Sequence, residues 1–307
     1  MRILFTGASS FTGFWFIQTL AAAGHEVVCP LRGRIEKYEG ARRDRVERLK
    51  PLCRLLSGTP FGSDYFLKLA REEKFDLLCH HAAETGDYKS PDFDVRAALQ
   101  SNTLNLRIVL AAMKGGLKGV ILTGSVFEND EGRGDEPLRA FSGYGLSKGL
   151  AWQVFRYYCQ EVQIPLGKFV IPNPFGPLEE PRFTAYLMRA WKEGRSAGVK
   201  TPDYLRDNIH VDLLARAYGR FLDRMAAGKD REMRMNPSGY VETQGEFARR
   251  VAQETRKRLG WECKLELSVQ EDFSEPSRRV NTEPMADLFP DWSEGRAWDA
   301  FTEFYSG

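Results

Sequence analysis

Short apolar runs alternate with amphipathic stretches through the first half of the chain, the rhythm of repeated βαβ units around a mostly parallel sheet. Arg2–Thr6 reads as a strand. The glycine-bearing turn after it opens a helix from about Phe11 to Ala23, which Gly24 ends. His25–Cys29, Leu52–Leu56, Phe75–His80, Gly119–Thr123 and Leu166–Ile171 read as the next five strands. Between the fourth and fifth strands, Val95, Leu99, Leu106, Val109 and Leu110 recur at roughly helical spacing, which predicts one long helix over Phe93–Lys114. Another, rich in aromatic residues, covers Tyr144–Gln160. Beyond the sixth strand the pattern loosens, with helices predicted at about Phe183–Gly194, Val211–Met225 and Thr243–Leu259.

Charge changes this picture only locally. The 307 residues hold 44 basic and 42 acidic side chains, a net +2, so nothing global points to nucleic acid or an anionic membrane. Arg32–Lys50 is the most polar segment, with six arginines, and reads as a solvated loop and helix face. No apolar run approaches the ~18 residues of a membrane span, and Met1-Arg2 leads straight into a strand, which predicts no signal peptide. Five cysteines (Cys29, Cys53, Cys79, Cys159, Cys263) include no CxxC pair, so neither a disulfide framework nor a structural zinc site is expected, and a reducing cytoplasm is the expected compartment. His80 and His81 are neighbours on a strand and point to opposite faces, so no metal is expected there.

Candidate chemistry starts at Thr6-Gly7-Ala8-Ser9-Ser10-Phe11-Thr12-Gly13, where strand, turn and helix meet. Gly7 permits a tight turn and Gly13 lets the helix pack closely. The amides of the helix N-terminus would then face a dinucleotide pyrophosphate, a plain βα turn being the alternative. After the second strand runs Val28-Cys29-Pro30-Leu31-Arg32-Gly33-Arg34, with no carboxylate for a ribose 2′-hydroxyl and two guanidiniums suited to a 2′-phosphate. Arg32 and Arg34 therefore favour NADP (NADPH), with NAD as the alternative. Tyr144-Gly145-Leu146-Ser147-Lys148 sets a phenol and an ammonium four residues apart on one helical face. There the cation favours the phenolate and suits the tyrosine to proton transfer, a surface Tyr–Lys pair being the alternative. Thr123, at the end of a strand, can bond the same reacting oxygen.

The turn resembles the TGxxGxxG fingerprint of short-chain dehydrogenases/reductases, with Ser10 at the middle glycine, a small residue whose hydroxyl can donate to the pyrophosphate. Asp76-Leu77-Leu78-Cys79-His80-His81-Ala82-Ala83 resembles a DxVxHxAA strand end, Asn173-Pro174-Phe175-Gly176-Pro177 an NVYGP turn and Arg206-Asp207-Asn208-Ile209-His210-Val211-Asp212 an RDFxHVDD segment. Met235-Asn236-Pro237-Ser238-Gly239 is more loosely similar to YNxGxG. With the YxxxK, these motifs make the chain resemble an extended short-chain dehydrogenase/reductase of the NAD-dependent epimerase/dehydratase family over most of its length. The implied fold is α/β: a Rossmann-type doubly wound parallel sheet over residues 1–170, with 206–235 returning to it, and a smaller substrate-binding lobe over 171–307. The implied catalytic set is Thr123, Tyr144, Lys148 and Asn102. Gly7, Ser9, Ser10, Phe11, Thr12, Gly13, His81, Ala82, Ala83, Ile171 and Asn173 would hold the cofactor together with Arg32, Arg34, Tyr144 and Lys148. Glu84, Thr123, Ser125, Asn173, Arg206 and Arg279 (or its neighbour Arg278) would contact a nucleotide-diphosphate sugar, though Glu84 also reads as an exposed loop carboxylate. His210 is expected to be structural, and Asp207 and Asp212 to cap or brace the following helix. The helices at Phe93–Lys114 and Tyr144–Gln160 would form a four-helix homodimer interface.

Within the family, dehydratases carry Thr-Asp-Glu where this chain has Thr123-Gly124-Ser125, which argues against water elimination. Together with the two arginines, the segments around Thr6–Ser10 and His81–Gly86 look similar to CDP-abequose synthase-like 4-keto-6-deoxysugar reductases. The expected reaction is NADPH-dependent reduction of a nucleotide-linked ketosugar. A nucleotide-sugar epimerase with retained NAD and a non-catalytic dinucleotide-binding regulator are the alternatives.

Overall fold

Four consecutive buried positions, Ile3–Thr6, make Arg2–Thr6 (β1) a strand covered on both faces, as a central parallel strand must be. In chain order it is followed by Glu26–Pro30 (β2), Arg54–Leu56 (β3), Leu77–His80 (β4) and Gly119–Ser125 (β5). Leu166–Ile171 and Glu232–Met235 complete a seven-stranded sheet, in the order β3, β2, β1, β4, β5, Leu166–Ile171, Glu232–Met235. Every neighbouring pair is parallel. The order reverses direction beside β1, the switch point at which doubly wound sheets bind dinucleotides.

The computed structural model describes residues 1–228 and 230–307, in two units. The first unit consists of residues 1–131, 139–171 and 215–235 and contains the sheet. Its helices are Phe11–Ala22 (α1), Gly40–Leu49 (α2), Asp64–Glu72 (α3), Val95–Thr103 (α4), Leu106–Met113 (α5) and Gly143–Val162 (α6), with the helix Val211–Ala226 joining from Ala215. Alternate strand residues serve opposite faces. Leu4, Leu78, Val120 and Leu166 pack with Phe66, Val109, Leu110 and Phe155 from α3, α5 and α6. Phe5 and Phe169 turn the other way, onto Phe16 of α1 and Tyr218, whose rings stack at 4.2 Å.

The single helix predicted over Phe93–Lys114 is two helices. Asn105 takes a left-handed conformation (φ 53°, ψ 23°), and its side-chain amide donates to Gly62 O at 2.9 Å. The break reorients the chain so that Leu106, Val109, Leu110 and Met113 all reach the core. The helix α3 was hidden in a segment without an assigned element, although Ser63 caps it and Phe66, Leu67, Leu69 and Ala70 make a buried stripe. The third strand is only three residues long, because Pro51–Cys53 still turn out of α2.

The second unit comprises residues 132–138, 172–214 and 236–307. Its main sheet places Leu205–His210 between Asn173–Phe175 (parallel) and Tyr240–Thr243 (antiparallel). Helices Phe183–Lys192, Gln244–Leu259 and Glu294–Ser306 enclose a core that includes Phe175, Leu187, Trp191, Phe247, Val251, Trp298 and Phe301. Residues 206–235 thus do not return to the first unit as one piece. The pairing of Arg206–Asn208 with Tyr240–Glu242 keeps that stretch in the second unit, and the first resumes at Ala215.

The helix break yields a stability prediction. Asn105→Ala forces a Cβ-bearing residue without a compensating amide into the left-handed region and removes one hydrogen bond, at a cost of about 2 kcal/mol. Urea denaturation of the variant checks this, and a loss below about 0.5 kcal/mol contradicts it.

Candidate active site

β1 delivers the chain to Gly7, at φ +81°, where a Cβ would lie 2.7 Å from Ala82 N and 2.9 Å from the His81 carbonyl carbon. A Cβ on Gly13 would lie 2.3 Å from Gly7 O. Both positions need glycine, and together they give the close backbone turn and tight helix entry that a dinucleotide pyrophosphate requires. Ser10 does not need to be glycine, because it is the N-cap of α1 with φ −74°. Its hydroxyl donates to Gly7 O at 2.9 Å and accepts from Gly13 N at 3.1 Å. In the structure that hydrogen is directed at Gly7 O within the turn. Ser9, Phe11 and Thr12 complete the turn. Beneath it lies Arg45, from the stretch read as solvated. This arginine is fully buried and donates from Nε to Ser9 O at 2.9 Å.

Thr6 fastens this turn to the end of β4. Its Oγ1 accepts from the amides of His81 at 3.1 Å and Ala82 at 3.0 Å, with Ala83 following. The two histidines face opposite sides of the sheet. His80 packs against Phe61 and Phe155, with ring centroids 4.2 and 5.0 Å away, and His81 packs against Phe5 and Phe16. His81 Nε2 lies 3.0 Å from Ser10 Oγ and 3.1 Å from Thr12 Oγ1, and its Nδ1 lies 2.9 Å from Thr123 Oγ1. Burial, reinforced by the Lys148 ammonium, lowers both imidazoles to about 3 and keeps them neutral. Among the described residues no His, Cys, Asp and Glu side chains cluster as a metal site.

Tyr144 and Lys148 lie in the first two turns of α6. Lys148 is buried and donates from Nζ to Thr123 O, which joins the ammonium to the end of β5. Burial lowers its pKa to about 8. Glu128 opposes that shift, and the Lys168 ammonium adds to it. The Tyr144 ring meets Tyr88 and Phe93 edge to face, at 6.0 and 6.1 Å. Asn102, on α4, accepts at Oδ1 from Glu84 N at 2.9 Å. Its buried Nδ2 has no protein partner among the described residues. The Glu84 carboxylate itself is paired with Arg32, whereas Arg34 is exposed. Sequence reasoning had assigned Arg32 and Glu84 to different ligands, and the structure brings them together. Ser125 accepts at Oγ from Phe127 N at 3.2 Å, and its own amide donates to Glu128 Oε1 at 2.7 Å.

Glu128 and Lys168 went unnoticed in the sequence. Lys168 is buried and pairs with Glu128 and Glu131, each at 2.5 Å. Burial pushes the Glu128 carboxyl up, against the pull of Lys168 and Lys148. A signal existed, since a lysine inside the apolar strand Leu166–Ile171 demands a buried carboxylate partner. Gly124 lies against this pair: a Cβ there would be 2.8 Å from Lys168 Cε and 3.0 Å from Glu128 Oε1. Arg45, by contrast, carried no sequence signal distinguishing it from the five other arginines around it.

Ile171 closes the last long strand of the first unit, its carbonyl accepting from Val126 N at 3.0 Å. The remaining predicted residues belong to the second unit. Asn173 donates from Nδ2 to Asp207 O at 3.1 Å. Arg206 is turned inward over the Tyr204 ring. Its guanidinium donates to Pro276 O at 2.9 Å, to Leu205 O at 3.1 Å and to Glu275 at 3.1 Å. Arg279 is fully buried, while Arg278 is exposed. Asp207 caps no helix: it accepts from Gly239 N at 2.8 Å and Asn281 N at 3.0 Å, bracing two loops. His210 is buried, lowered to about 3 by desolvation, and accepts from Asp212 N at 3.2 Å.

The profile of the NAD dependent epimerase/dehydratase family matches residues 3–236. Among characterised proteins, the chain is 26% identical over 235 residues to a UDP-glucose 4-epimerase of Mycolicibacterium smegmatis, covering 72% of each. Among solved structures it resembles the UDP-glucuronic acid 4-epimerase of Bacillus cereus in complex with UDP-glucuronic acid and NAD, with a TM-score of 0.74 and 18% identity over 100% of this chain and 99% of that one. It also resembles DesIV, a dTDP-glucose 4,6-dehydratase of Streptomyces venezuelae with NAD bound, with a TM-score of 0.75 and 18% identity over 100% and 97%. At these identities the two structures establish a shared fold.

The buried charges predict a titration. In lysine-13C-labelled protein, with Lys148→Arg to assign the signal, Lys148 should titrate near pH 8. Glu128→Gln removes the carboxylate that favours the ammonium, so the midpoint should fall further. A midpoint near the ordinary lysine value, or one that rises in Glu128→Gln, contradicts the arrangement.

Proposed function

The chain belongs to the NAD dependent epimerase/dehydratase family, and on that premise we propose that it uses NADPH to reduce the keto group of a nucleotide-diphosphate 4-keto-6-deoxysugar. The observation that carries the choice of cofactor is the end of β2. Arg32 and Arg34 follow it, both exposed, and the segment Val28–Arg34 contains no carboxylate. The pair between Arg32 and Glu84 is partly exposed, with side-chain exposures of 63% and 35%, and a contact of that kind is worth only about 0–1 kcal/mol. A ribose 2′-phosphate, with more charge and a bidentate geometry, exchanges for it readily. Water elimination is disfavoured for a physical reason. A Cβ at position 124 would press on Lys168 Cε at 2.8 Å and Glu128 Oε1 at 3.0 Å, and Ser125 offers a hydroxyl where an eliminating residue needs a carboxylate.

In this reading the first unit binds the cofactor and the second supplies contacts to the nucleotide sugar. Bound at the Gly7–Gly13 turn, the dinucleotide supplies the hydride. The Tyr144 phenol gives the proton to the reacting oxygen. Lys148, four residues along α6 and held at Thr123 O, stabilises the phenolate left behind. Thr123 orients the phenol at that oxygen, and Asn102 holds the backbone at Glu84. Leu104, Ile108, Leu146, Leu150 and Tyr157 are exposed apolar side chains on and beside α5 and α6, which supports a homodimer formed through these helices. Among the described residues no helix is long and apolar enough to cross a membrane. All five cysteines are free, which supports a reducing compartment.

A second reading, a nucleotide-sugar 4-epimerase that retains NAD, is favoured by the 26% identical relative. The two differ in cofactor behaviour. Replacing Arg32 and Arg34 together by alanine should weaken NADP binding at least about tenfold and leave NAD binding within about twofold, as read by calorimetry or fluorescence titration. Unchanged NADP affinity overturns the NADP assignment. NAD that co-purifies and supports turnover without added reductant selects the epimerase.

A further inference from the structure

The imidazole of His81 bridges two parts of the site that act on different portions of a ligand: the hydroxyls of Ser10 and Thr12 at the dinucleotide turn, and the hydroxyl of Thr123 at the end of β5. A neutral imidazole has one donor and one acceptor, so the direction of each contact follows from counting hydrogens. Ser10 settles the count. Its only hydroxyl hydrogen goes to Gly7 O at 2.9 Å, and it also accepts from Gly13 N, so toward His81 it can only accept. Reversing that bond would leave Ser10 Oγ and Gly7 O facing each other 2.9 Å apart with no hydrogen between them. His81 Nε2 therefore carries the hydrogen and shares it between Ser10 and Thr12. Nδ1 is then bare, and the 2.9 Å contact to Thr123 requires the Thr123 hydroxyl to donate.

We propose that His81 is a positioning residue, held as the Nε2–H tautomer by the dinucleotide turn, that takes the hydroxyl hydrogen of Thr123 and fixes that side chain as a hydrogen-bond acceptor toward the reacting position. Thr123 then offers only lone pairs to a substrate oxygen. It orients a hydroxyl group or the Tyr144 phenol but gives no hydrogen bond to a ketone, and Tyr144 is the sole proton donor. The same bonds make the Thr123 orientation depend on the turn that holds the cofactor. The electrostatic setting agrees, since burial and the nearby Lys148 and His80 oppose a cationic ring.

The inference builds on the proposed chemistry, and its first test is independent of turnover. Long-range 1H–15N spectra of the full-length labelled protein resolve imidazole tautomers, with His81→Gln identifying the His81 signals among the four histidines. The expected ring is neutral, protonated at Nε2 and unchanged between pH 8 and pH 5. Thr123→Val should shift its Nδ1 resonance toward the value of an unbonded nitrogen while Nε2 stays in place. A ring protonated at Nδ1, one that titrates near 6.5, or an Nδ1 signal indifferent to Thr123→Val overturns the proposal. With a turned-over substrate, His81→Leu should lower kcat about 30-fold with cofactor KM within about threefold. His81→Asn, whose amide oxygen can replace Nδ1 as acceptor, should recover most of the loss, and His81→Leu with Thr123→Val should cost little more than either alone. Independent, multiplicative losses overturn it. An Nε2–H ring in a protein that turns over no nucleotide sugar would leave the tautomer standing and count against the proposed function.

Discussion

The close approach of the Gly7 turn to the end of β4 is the constraint on which the rest of the site depends. With 2.7 Å between a virtual Cβ at Gly7 and Ala82 N, the two segments touch through backbone alone, and the Thr6 hydroxyl secures them by accepting both the His81 and the Ala82 amides. That contact fixes where β4 ends, and so where His81 projects. His81 in turn ties the cofactor turn to Thr123, and the Thr123 carbonyl receives Lys148 from α6. Three strands and two helices are thereby joined through a short run of hydrogen bonds. Gly13, beside Gly7 O, sets how closely α1 enters the same region.

A second layer of organisation is electrostatic. Two lysines, Lys148 and Lys168, are buried in one unit, and a buried ammonium needs a carboxylate nearby or a lowered pKa. Glu128 supplies the carboxylate at a junction: one oxygen takes Lys168, the other takes the Ser125 amide just past Thr123, and its field favours the Lys148 ammonium. The same carboxylate and Lys168 crowd position 124, where a Cβ would lie 3.0 Å from Glu128 Oε1 and 2.8 Å from Lys168 Cε.

Much of this was legible from residue order. The parallel sheet, the turn, the YxxxK and the family followed from apolar periodicity and short motifs, because those features depend on local spacing. What escaped depended on contacts distant in sequence. Asn105 breaks a helix through its bond to Gly62, which no periodicity records. Arg45 is indistinguishable in sequence from the arginines around it, and only the fold places it under Ser9. The hydroxyl of Ser10 seemed available to a pyrophosphate until Gly7 O and Gly13 N were seen to engage it. For Arg206 and Arg279, read in the sequence as anion ligands, the structure adds surroundings that residue order does not record: one stacks on Tyr204 and bonds carbonyls, and the other is fully buried. Basic residues resist assignment from sequence because the same guanidinium serves a ligand or a loop equally well.

The central claim is that this site moves a hydride from NADPH to a carbon of a nucleotide-linked sugar. Incubation with NADPH deuterated at the nicotinamide C4, one face at a time, and a nucleotide 4-keto-6-deoxysugar tests it most directly. The account predicts deuterium at sugar C4 in the product from one of the two labelled faces, with one NADP formed per sugar reduced. Unlabelled product, or substrate recovered unchanged with the NADPH intact, would contradict it.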